Sequence, residues 1–312
     1  MKRQTILIFA ASLFFLFTTN MAKATNHYVA DSTGFDGDHF SLEGAIALFK
    51  KAESPEAFEK LLNQEGNYVN NLDLNKDGRT DYIRVIDHQQ GDVHAIVLQT
   101  FLDEDDSQDI AVIEIEKQGA ENAVLQIVGD EDVFGEQIIA EPYEISEEMP
   151  GKGPSSQLNV HRIVINVWAW PSVRYIYRPS YRVYVSPWRW AAYPRWWSPW
   201  RPLAWRVYHP NRLVYRSNVR VVSTHRVVRA HRVYTPVRRG STVVRSRTVY
   251  RRNTINASRT RGVTSRKTTV TRVNGPNGTV TRRKTTTRAA GKKGNKRVVG
   301  KKTSKRTRVR RH

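Results

Sequence analysis

The residues with the most definite chemistry form the run Asp73-Leu74-Asn75-Lys76-Asp77-Gly78-Arg79-Thr80-Asp81. Oxygen-bearing side chains stand at loop positions 1, 3, 5 and 9, with a glycine at position 6 where such a loop turns sharply. Calcium takes roughly six to eight oxygens, so a tight loop offering alternate carboxylates suits it. An EF-hand adds an acid at loop position 12 and a helix on each side. Here position 12 is Arg84, and the flanks 68–72 and 82–86 read as strands. The loop is therefore EF-hand-like in its ligands alone. The competing reading is an Asx- and Gly-rich turn that binds nothing.

The spacing resembles the D-x-[DN]-x-D-G-x-x-D calcium loops of FG-GAP and VCBS repeats, in which a strand-loop-strand unit holds the ion. That resemblance implies one Ca2+, with Asp73, Asn75, Asp77 and Asp81 as side-chain ligands and Arg79 as a carbonyl donor. The motif occurs once, so the propeller built from such repeats is not implied. Residues 38–142 also resemble an uncharacterised family of small secreted proteins from Bacteroidetes-type bacteria. This likeness implies export and a shared domain, and no activity.

Other reactive groups are present without a partner. Acids cluster at 103–106 and 130–132, as runs usually do in solvated loops, and His27, His39, His88 and His94 are scattered. His88 and His94 straddle a hairpin turn and are placed to face each other. Cysteine is absent, which removes disulfides, thiol catalysis and thiolate metal sites. No nucleophile–base or acid–base constellation is recognisable, so the reading is a non-enzyme.

A folded support for the loop is legible around it. Ser41 can cap a helix in which Leu42, Ala45, Ile46 and Phe49 recur at helical spacing. A second helix opens with Ser54 as cap and Pro55 at its first position, and turns Phe58, Leu61 and Leu62 inward. Strands follow at 82–86, 93–101, 109–117, 122–128 and 137–145. In the third of these, Ala111, Ile113 and Ile115 share one face while Glu114 and Glu116 share the other. Two helices followed by a run of strands predict an α+β fold, the helices packed on one face of an antiparallel sheet.

Charge divides the chain. All 29 Asp and Glu lie between Asp31 and Glu148; residues 31–150 hold only 7 Lys and Arg, whereas residues 151–312 hold 41 and no acid. The Pro/Gly-rich stretch 149–156 reads as a linker between an acidic domain (25–148) and a basic half. Residues 1–24 carry a signal-peptide pattern: Lys2 and Arg3, an apolar run, then Ala22-Lys23-Ala24. The expected location is the periplasm, the outer membrane or the medium.

The basic half has two parts. All eight tryptophans fall between Trp168 and Trp205, interleaved with Arg and Pro, and residues 157–250 are expected to be an extended belt. Trp188, Trp190, Trp196, Trp197, Arg189 and Arg195 are its candidate surface, membrane or polyanion contacts. Three readings stay open: the belt packs on the acidic domain, sits at a membrane interface, or stacks on bases or sugars of a polyanion. Repeats such as His225-Arg226-Val227 and His231-Arg232-Val233 follow it. Residues 251–312 form a basic tail expected to be disordered, with a transient hairpin possible over 268–281 around an Asn/Gly/Pro turn.

The expected partners are polyanions: lipopolysaccharide, anionic lipid, acidic polysaccharide or extracellular DNA. No base-reading module is present, so sequence-specific recognition is not expected. The alternative is self-association, the acidic half of one copy pairing with the basic half of the same or another.

Overall fold

The computed structural model describes residues 32–148, 159–260, 264–275, 278–293 and 296–310, and the side chains of 32–144 and 164–255. The expected signal peptide (1–24) and linker (149–156) lie outside the described residues.

Two helices open the fold where their caps place them. Helix α1 (Leu42–Lys51) starts at Ser41, whose hydroxyl accepts from the Gly44 amide, and α2 (Pro55–Leu62) starts at Ser54, which accepts from Ala57. Pro55 fits the first position of α2 because its missing N–H would have no intrahelical partner there. Phe49 and Phe58 meet edge to face at 5.2 Å and are fully buried. Burying each such ring contributes about 2–3 kcal/mol.

The strands are β1 (Arg84–Gln90), β2 (Val93–Phe101), β3 (Ser107–Gly119), β4 (Asn122–Gly129), β5 (Ile138–Glu148) and β6 (Asn159–Val164). A short helix, α3 (Glu131–Phe134), precedes β5. The strands pair antiparallel in chain order, and β7 (Val219–Val222) also pairs with β5. The fold is α+β, as the sequence predicts. Ile113, Ile115, Leu125 and Ile127 turn toward α1 and α2 in one core. The turn between β1 and β2 places Gly91 at φ 58°, and His88 pairs with Ala95 rather than with His94. Adjacent positions on a strand point to opposite faces, so the two histidines do not meet. His94 Nδ1 instead lies 2.8 Å from Asp87.

The second face of the sheet departs from a simple half-covered sheet. Gln99, Asp109, Glu114, Glu116, Gln126 and Glu141 point there, yet all are buried. The cover is the basic half: helix α6 (Val228–Tyr234) packs on β1, β2 and β3. Carboxylates that alternation assigns to solvent are thus matched by donors. Glu116 accepts from the Arg229 and Ala230 amides at the start of α6, and Glu141 takes Arg220 at 2.7 Å and Arg226 at 3.2 Å.

The basic half also reaches both sides of the sheet. Outside β1, the Asp87 amide donates to the Tyr184 carbonyl (2.8 Å) and the Ser186 amide to the Val85 carbonyl (2.9 Å). On the far side, β6 and β7 share the length of β5. Unpaired edge strands invite pairing with other chains, and at β1 the chain supplies part of its own cover.

The extended belt expected over 157–250 needs correction. From 177 to 204, where Pro179, Pro187, Pro194, Pro199 and Pro202 recur, the chain has no helix or strand beyond isolated bridges. On either side it is helical: α4 (Pro171–Ile176), α5 (Trp205–Arg212), α6 and α7 (Thr242–Thr260). Pro171 is at the first turn of α4, a position proline favours, so it starts the helix rather than forbidding it. Val173 and Ile176 of α4 join the core beside α1. In α7 the Arg/Val repeat reads at helical spacing and buries Val244 and Thr248.

Beyond α7, β8 (Thr264–Gly275), β9 (Gly278–Lys293) and β10 (Lys296–Arg310) pair with one another and with no strand of the main sheet. The Asn/Gly/Pro hairpin falls where expected, with Gly275 opposite Gly278. Among the described residues no helix is long and apolar enough to cross a membrane.

Candidate metal sites and an aromatic cavity

The 73–81 loop is held by its own acids. Asp73 accepts from the Asp77 and Gly78 amides at 3.1 Å each, and Asp77 accepts from the Arg79 amide at 2.8 Å. Two residues adopt left-handed backbone, Lys76 at φ 64° and Gly78 at φ 82°. Asp81 reaches back to the Leu74 amide and is buried. Burial, with Asp73 and Asp77 adding like charge, pushes its carboxyl up to about 8. Among the described residues, the acids of this loop do not belong to the cluster whose ligand atoms converge within 4.8 Å.

The structure brings this loop to the tryptophan belt. The Thr80 amide donates to the Trp200 carbonyl at 2.8 Å. Asn75, Asp77, Arg79 and Asp81 line one side of a cavity of about 340 Å3, and Trp190, Tyr193 and Trp197 line the other. Trp197 is a core residue, 9% exposed, edge to face with Tyr82 at 5.0 Å. Trp196 is 45% exposed, with Lys60 5.6 Å above its ring. Trp188 is half-buried, and Arg189 and Arg195 are exposed. The six candidate contacts therefore do not share one surface: Trp197 packs inward, while Trp196, Arg189 and Arg195 face solvent.

A second group arises from residues that sequence reasoning did not join. Glu114 on β3 has a side chain with no exposure, His225 follows β7, and His231 lies on α6. One carboxylate oxygen lies 2.5 Å from His225 Nε2 and the other 2.7 Å from His231 Nδ1. The hydrogen bond to Glu114 raises the His231 pKa against burial. The ligand atoms of all three lie within 4.8 Å of one another, so this group can hold a metal ion. Its signals were present: Glu114 in the alternation of β3 and two His-Arg-Val repeats six residues apart. Only the cover of the acidic face by the basic half joins them.

Fold and site together define a class: an antiparallel α+β body wrapped by its own cationic arm, with a two-histidine, one-carboxylate group between sheet and arm. Comparison with protein-family models, curated proteins and solved structures finds no match for the chain.

Proposed function

We propose that the protein is an exported, non-enzymatic binding protein of the cell envelope whose basic tail grips polyanionic surfaces. The observation that carries this reading is where charge is left over. Residues 31–255 hold 28 Lys and Arg against 29 Asp and Glu, a net −1, whereas residues 256–312 hold 20 Lys and Arg and no acid. Arginines of the arm meet buried acids in the body, so their charge is used within the fold. The tail's charge has no such counterpart in the sequence. The register of its strands sets Lys305 opposite Lys284, Arg306 opposite Arg283 and Lys301 opposite Arg288. Like charges directly opposite destabilise a sheet, so an anionic partner would favour these strands.

The test compares the full chain with one ending at Thr260, on duplex DNA and on phosphatidylglycerol vesicles. The truncation removes 19 Lys and Arg. Full-length binding to DNA should fall about 10³–10⁵-fold between 50 and 200 mM salt if some 6–10 phosphates are contacted. The truncated chain should bind neither surface appreciably. Equal binding by both chains would move the contact to the belt and sink this reading.

We also propose that the 73–81 loop holds one Ca2+ through Asp73, Asn75, Asp77, Asp81 and the Arg79 carbonyl. Because the Thr80 amide is tied to Trp200, an ordered loop steadies the aromatic segment too. Calcium at a hundredfold excess over its Kd should raise the melting temperature by roughly 5–10 °C. Asp77→Ala should abolish the shift. No response of the wild type to millimolar calcium would leave the loop a plain turn.

A further inference from the structure

We propose that Glu114, His225 and His231 bind one divalent transition-metal ion, best matched by zinc, which locks the arm onto the acidic face of the sheet. The donor set argues for the ion. Two imidazole nitrogens and a carboxylate oxygen converge within 4.8 Å, drawn from three places in the chain. Calcium and magnesium prefer all-oxygen sites, whereas imidazole with carboxylate suits zinc and its neighbours. The chain has no cysteine to offer a softer alternative.

The geometry is close to what zinc needs. Tetrahedral zinc with bonds of about 2.0–2.1 Å sets its ligand atoms roughly 3.3 Å apart. The histidine nitrogens now stand 2.5 and 2.7 Å from the Glu114 oxygens, as hydrogen-bonded pairs. An ion replacing those protons needs the rings to withdraw by less than about 1 Å. They have the room: their side chains are 20% and 31% exposed, while Glu114 is wholly enclosed. The open side leaves a coordination position for water.

The surroundings hold the backbone beside each histidine. Gln126 donates to the Thr224 carbonyl (3.0 Å) and accepts from the Arg226 amide (2.7 Å), bracketing His225. Glu116 accepts from the Arg229 and Ala230 amides, two residues and one residue before His231. Such outer partners orient metal ligands and hold a site together before the ion arrives. None of these residues belongs to the calcium loop or the tail, so the inference stands apart from both proposals above.

The experiment uses the full chain, saturated with calcium, and titrates it with zinc and with cobalt(II). The expected result is one zinc per chain, visible d–d absorption from cobalt, and a melting temperature about 5–10 °C higher with zinc in hundredfold excess over its Kd. His225→Ala and His231→Ala should each weaken zinc about tenfold or more and remove the cobalt bands. Glu114→Gln keeps the side chain's size and should do the same, serving if an alanine variant does not fold. Zinc affinity and cobalt spectra unchanged by these substitutions would overturn the proposal, as would a wild type that takes up neither ion. The cluster would then be an ion-paired clasp alone.

Discussion

Arg238→Ala is expected to destabilise the folded body by about 3–5 kcal/mol, the range for breaking a buried ion pair from one side. Arg238 lies on the arm and spans two acids of the turn before β5. Its Nε is 2.6 Å from Asp130 Oδ2, and its Nη2 is 2.9 Å from Asp130 Oδ1 and 2.8 Å from Asp132 Oδ2. The acid side chains are only 3% and 8% exposed. Burial raises the Asp130 pKa, with like charge on Asp132 adding to it, and the guanidinium opposes that rise. An exposed salt bridge is worth about 0–1 kcal/mol; here, removing the cation strands the Asp130 carboxylate away from water, while Asp132 keeps Arg245 at 3.2 Å. Asp130 also caps α3, accepting from the Asp132 amide at 2.9 Å, so the disturbance reaches secondary structure. Urea unfolding followed by tryptophan emission measures the loss. Arg238→Lys should recover only part of it, since an ammonium cannot make the paired contact of a planar fork. A cost below about 1 kcal/mol for the alanine variant would place this contact among ordinary surface bridges.

That network shows where sequence reading succeeds and where it stops. Ser41, Ser54 and Pro55 mark helix starts through local chemistry, and those starts fall where predicted. The alternation of β3 likewise separates Ile113 and Ile115 from Glu114 and Glu116 correctly. What alternation cannot say is what covers the polar side. Cover by the belt is one of three readings the sequence leaves open, and the partners of the acidic face lie about 80–130 residues later, in a segment whose composition suggests an extended chain. His225 meets Glu114 across 111 residues, and Arg238 meets Asp130 across 108. Local rules carry no information about such pairings. Opposite charge on two halves of a chain indicates that they attract without indicating which atoms meet. The loop 73–81 sits between these cases: its residue types are legible, while its approach to Trp190 and Trp197 is set by the belt crossing the molecule.

Glu59→Ala should cost a similar amount, about 3–5 kcal/mol, as several buried donors lose their acceptor at about 1–3 kcal/mol each. Glu59 lies on α2 and is 2% exposed. One oxygen accepts from Tyr82 Oη at 2.7 Å and Ser186 Oγ at 2.9 Å, the other from the Val85 amide at 2.8 Å and Tyr184 Oη at 3.4 Å. A single carboxylate thus ties a helix, the first strand and the belt together. Tyr82 in turn packs against Trp197, so its release should expose that indole and shift tryptophan emission to the red. Glu59→Gln keeps the volume but presents an N–H₂ group where an acceptor is needed, so an intermediate loss is expected. Acidity separates the two effects. Burial raises the Glu59 pKa despite its donors, so its contribution to stability is whole below the ordinary carboxylate range and falls as pH rises through the folded value. The glutamine variant lacks this dependence, so its deficit relative to wild type should narrow with rising pH. An alanine variant as stable as wild type, with unchanged emission, would mean that residues 184–186 rest on the sheet edge without being held by Glu59. The belt would then be fastened by its backbone pairing to β1 and by the arginine contacts of the arm.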